Sequence, residues 1–112
     1  MKENKEQIAR IKKMERNLVR AKTAMRQLST ALDKYLNVQE AIEALNTYYS
    51  SDVWKQDFAD DEAGLLPADL KRGVLSEDGI WDLLSDYKEL NSRLQKAVDM
   101  INNTISWLDF RK

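Results

Sequence analysis

A chain of 112 residues, 43% hydrophobic and 33% charged, suits one small globular domain. It is too apolar for a disordered chain and too polar for a membrane protein. It has no cysteine and no histidine. That excludes disulfides, thiolate nucleophiles, cysteine metal sites, the usual general base at neutral pH and the commonest zinc ligand. The expectation is a single helical domain over residues 1–112 that is not an enzyme and holds no cofactor. The opening MKENKEQIARIKKMERN lacks the apolar core of a signal peptide, and no apolar run approaches the roughly 20 residues of a spanning helix. A cytoplasmic location is expected. Net charge is −1, but residues 1–26 carry nine Lys and Arg against three Glu, and residues 52–86 carry ten acids against three bases.

Residues Ile11, Met14, Leu18, Ala21, Met25, Leu28, Leu32 and Tyr35 recur at alternating steps of three and four. This 3.5-residue repeat predicts one long helix over about 4–36 with a continuous apolar seam. Asn37, with Glu40 three residues on, reads as a capping box. Val38, Ala41, Ile42, Leu45 and Tyr49 then share one face of a helix over about 38–49. Ser50 or Ser51 caps a shorter third helix, DVWKQDFA. With Ser50 as the cap, Tyr49 and Trp54 take the two positions of a hydrophobic staple.

All three glycines and the only proline fall in the stretch DFADDEAGLLPADLKRGVLSEDG. Gly64 stops the third helix. Pro67 suits a first helical position, Asp69 the first turn, Lys71 and Arg72 the last, and Gly73 a left-handed stop, so LPADLKRG reads as one short helix. Next, Ser76 is a cap flanked by Leu75 and Ile80 as a staple, with Glu77 and Asp78 at the positive end of the dipole. Gly79 lacks a local reason, and close approach of another backbone is one candidate. Ile80, Leu83, Tyr87, Leu90, Leu94, Ala97, Ile101, Thr104 and Leu108 repeat the seam spacing, widened by Leu84, Val98 and Ile105. They predict a second long helix over about 77–108. The expected fold is all-α: a helical bundle of two long antiparallel helices, seam against seam, with two to three short helices between.

The run YYSSDVWKQDFADDEAGLLPADLKRGVLSEDGIWDLL resembles the signature of a small bacterial family known as domain of unknown function 4298. The resemblance covers nearly the whole chain, and LPADLKRGVLSEDG is its most specific part. It implies a bacterial helical protein and brings no activity, cofactor or catalytic residue.

Three groups of side chains are candidates for function. The acidic cluster Asp52, Asp57, Asp60, Asp61 and Glu62 offers oxygen ligands of the kind magnesium or calcium takes, without the spacing of an EF-hand loop. Its bland reading is a solvated helix face. The basic stripe Lys12, Lys13, Arg16, Arg20 and Arg26 can follow phosphates, but it lacks aromatic residues to stack on bases. It too reads more simply as a solvated face. Tyr48, Tyr49, Trp54 and Phe58, with Trp81 nearby, form either a small secondary core or a partner groove rimmed by Lys71 and Arg72. Trp107 and Phe110 lie off the seam and suit a homodimer contact.

The preferred function is a non-enzymatic protein–protein interaction module, an adaptor or regulator, with Trp54, Lys71, Arg72 and Trp81 as candidate partner-binding residues. Its partner is an unidentified protein or a second copy of the chain; a membrane is not expected. The alternative is a carboxylate-based metal-binding or hydrolytic domain on the cluster at 52–62. A third reading is nucleic-acid binding by the N-terminal helix.

Overall fold

The computed structural model describes residues 4–108. Four α-helices follow in order, α1 (Lys5–Asn37), α2 (Gln39–Tyr49), α3 (Asp52–Glu62) and α4 (Gly79–Thr104). A 3₁₀ turn, Gly73–Leu75, precedes α4, and a second one, Ile105–Trp107, follows it. The described chain is thus all-α. It divides into two units, residues 1–40 and 41–112.

The first unit is essentially α1. Asn4 is extended, and its Oδ1 accepts from the Gln7 N–H at 3.0 Å. Glu6 in the first turn and Lys34 in the last match the helix dipole. Its 33 residues span about 50 Å. None of them is buried. Asn37 does not cap the next helix, as its capping-box spacing suggests. It is the last residue of α1, and the break falls at Val38. Val38 closes the final turn through its N–H to Lys34 O at 3.2 Å, and the Gln39 side-chain amide donates to Tyr35 O.

In the second unit Ser51, not Ser50, caps α3. Its Oγ accepts from the Trp54 N–H at 3.3 Å and donates to Tyr48 O. The cap choice removes Tyr49 and Trp54 from the formal staple positions, yet their rings still meet edge to face at 4.8 Å. Gly64, at φ 74°, ends α3. The Gly64 and Leu65 N–H groups return to Asp61 O and Asp60 O, both at 3.0 Å, which satisfies two of the helix's last carbonyls.

The short helix expected over LPADLKRG does not form. A single turn closes there, from the Leu70 N–H to Pro67 O at 3.2 Å. One turn fixes several dihedral angles for one hydrogen bond, and too few residues follow to propagate it. Gly73 is not a left-handed stop either; it begins the 3₁₀ turn.

α4 begins at Gly79, two residues after the expected start, with Asp78 at its N-cap position and no side-chain bond from it. Ser76, at the end of the 3₁₀ turn, still meets the start of the helix, its Oγ accepting from the Gly79 N–H at 3.0 Å and donating to Gly73 O at 2.8 Å. Its staple partners Leu75 and Ile80 are the two buried hydrophobic residues among those described, 6% and 3% exposed. The 3₁₀ turn packs on both α3 and α4. The regular part of α4 ends at Thr104, four residues before the expected end, and its final turn tightens to 3₁₀. The expected dimer contact of Trp107 and Phe110 concerns side chains outside those described.

The close backbone approach offered as a reason for Gly79 is present. A Cβ there would overlap the Gly73 carbonyl oxygen and stand 2.6 Å from Ser76 Oγ, whereas a Cβ at Gly73 meets nothing within 4 Å. Gly79→Ala is therefore expected to lower stability by about 1–3 kcal/mol, and Gly73→Ala to leave it nearly unchanged. Thermal denaturation followed by circular dichroism checks this. Equal melting temperatures for the two variants would mean that the close approach does not hold the turn.

Candidate functional site

The Ser50–Ser51 turn brings the end of α2 beside α3. There Tyr48 Oη donates to Asp57 Oδ2 at 2.6 Å, and both side chains are half-buried. Ionising the phenol would lose this bond, which is the main reason its pKa is pushed from 10.0 up to about 12. Burial of the ring and repulsion from the Asp57 carboxylate act in the same direction.

On the next face of α3, Trp54 stacks on Phe58 at 5.2 Å, and its indole N–H donates to Val74 O at 2.9 Å. In the last turn of α3, Asp61 Oδ1 receives Arg72 Nη1 at 2.5 Å. Both partners are partly shielded, so the pair ties the linker to α3 more firmly than an exposed ion pair does.

The candidate partner-binding residues therefore divide. Trp54 and Arg72 are engaged inside the second unit, each holding the linker. Trp81 is 55% exposed, and Lys71 is exposed as well. Lys71 lines a shallow, mainly apolar groove of about 520 Å³, together with Leu45, Gly73, Val74, Gly79, Ile80 and Leu83. Trp81 follows Ile80 on the exposed side of α4.

The acids do not converge. Asp57 serves Tyr48, Asp61 serves Arg72, Asp60 accepts from Gln56 at 2.8 Å, and exposed Asp52 stands 3.9 Å from Lys55. Among the described residues no three Asp or Glu side chains gather as around one cation. On α1, Lys12, Lys13, Arg16, Arg20 and Arg26 are all exposed. No described helix is long and apolar enough to cross a membrane.

Sequence reasoning named Tyr48, Asp57, Asp61 and Arg72 but placed the two acids in one group and Tyr48 and Arg72 in another. Their pairings span nine and eleven positions across turns. Helical periodicity links only neighbours three or four apart.

A family model described as "Domain of unknown function (DUF4298)" matches residues 11–97, which is most of the chain and includes the linker. No curated protein and no solved structure gives a significant match.

The Tyr48 bond predicts a pH dependence. The folded pKa lies above the unfolded value, so the bond's stabilisation is complete below about pH 10 and is lost as pH rises through about 12. In an ultraviolet absorbance titration, Tyr48→Phe should remove a tyrosine that ionises near pH 12, and Asp57→Ala, which takes away both the acceptor and its charge, should bring the Tyr48 transition down toward its ordinary value. An unchanged titration in Asp57→Ala would remove Asp57 as the cause.

Proposed function

The chain belongs to the family described as a domain of unknown function (DUF4298), and we propose that it is a non-enzymatic helical module that acts by binding protein surfaces. The observation that carries this reading is apolar surface left open beside a well-tied linker. Trp81, Val74 and Leu83 are exposed, with Lys71 at the groove wall. Recognition surfaces characteristically combine an aromatic anchor, an apolar pocket and a charged rim.

The distribution of the acids supports the same reading. A carboxylate-based metal or hydrolytic centre needs convergent oxygens, and four of the five carboxylates at 52–62 stand near separate partners instead. The exposed cations of α1 lack aromatic residues on which bases stack, so a protein partner is preferred to a nucleic acid.

The two long helices offer the larger surfaces. Two closures suit their seams: antiparallel pairing of α1 with α4 into a bundle within one chain, or pairing between chains.

The module is tested by affinity capture from bacterial lysate, with Lys71→Glu/Trp81→Ala as the control bait. Arg72 is left intact because its ion pair with Asp61 holds the linker. A protein retained by the wild type and lost by the folded variant is the expected result. Equal capture by both baits would remove this surface from recognition.

A further inference from the structure

The seam of α1 has no cover within its own unit. Ile11, Met14, Leu18, Met25, Leu28 and Leu32 are all exposed, Leu28 at 63%. A lone helix gains most of its stability from packing an apolar face, so this face requires a partner. Its central positions recur twice per heptad, with Ile8 and Leu36 beside them near the two ends and Val19 apart on the outer side, a repeat that suits a facing helix.

We propose that the partner is α1 of a second copy of this chain, aligned parallel and in register as a two-stranded coiled coil. The inference rests on the reading of the chain as an interaction module and names one partner for it.

The residues flanking the seam select this occupant and this direction. In a parallel, in-register pair, the residue before each first apolar position faces the residue five later in the other helix. Arg10 then meets Glu15 of the second copy, an attractive pair made twice by symmetry. Asn17 meets Lys22, Ala24 meets Ser29 and Ala31 meets Leu36, with no like charges opposed. An antiparallel pair with the same overlap sets Lys22 beside Lys22 of the other copy.

The seam of α4 is less suited to the role. Ile80 is already buried within the second unit, and Leu84, Tyr87 and Leu94 are half-buried. Its apolar stripe is also broadened by Val98 and Ile105, beyond what a narrow seam covers.

The absence of native cysteine gives a direct test with the full chain. Light scattering at tens of micromolar should give twice the chain mass. After oxidation, Leu28→Cys should form an interchain disulfide, because equivalent seam positions face each other in a parallel pair. Lys13→Cys, on the outer face, should not. Arg10→Glu should weaken the dimer several-fold, and Arg10→Glu/Glu15→Arg should restore it. A monomer overturns the inference, as does a dimer in which Leu28→Cys fails to cross-link. Neither result touches the capture test at Lys71 and Trp81, so the two readings fail on separate measurements.

Discussion

The second unit depends on a close approach between two stretches of backbone. The Gly73 carbonyl receives the Ser76 hydroxyl, and the same hydroxyl receives the Gly79 N–H. Only a residue without Cβ fits where Gly79 stands. This tight turn sets Leu75 on one side of Ser76 and Ile80 on the other, and these two make the buried apolar centre of the described chain. The Trp54 indole fastens α3 to Val74, inside the same 3₁₀ turn. One small arrangement therefore fixes how the chain leaves the linker and enters α4. With so little apolar burial, directional polar ties define much of the geometry, which is why a missing partner there costs more than a typical surface contact.

Those ties also sort the linker's residues by role. Arg72 and Asp61 hold the linker to α3, and Tyr48 and Asp57 hold α2 to α3. What remains open is Trp81, Lys71 and the apolar groove under the 3₁₀ turn. In the proposed interaction, an edge tied in this way would need little prior ordering, which lowers the entropic cost of association.

The first unit poses the opposite situation. Its helix is well capped and regular, with its dipole matched at both ends, yet its apolar seam is exposed along its length. The local signals for α1 are complete and its tertiary cover is not. In the proposed parallel dimer, a second copy would supply that cover through the same 3.5-residue repeat that marks the helix.

The sequence by itself determined the all-α class, the starts of both long helices to within two residues, the Ser76 hydroxyl at the start of α4 with Leu75 and Ile80 beside it, and the stop at Gly64. Each follows from short-range chemistry: periodic apolar residues, a side-chain oxygen three residues before an open N–H, or a backbone that only glycine adopts readily. It misjudged Asn37, which closes α1 instead of capping α2, the break falling one residue later at Val38. It also misjudged LPADLKRG, where helix-start and helix-stop residues stand too close together for a helix to propagate. Only the tertiary structure decided which backbone Gly79 approaches, the pairing of Tyr48 with Asp57, and the capture of Arg72 by Asp61. These depend on groups brought together across turns, at separations that a repeat of three or four residues does not encode.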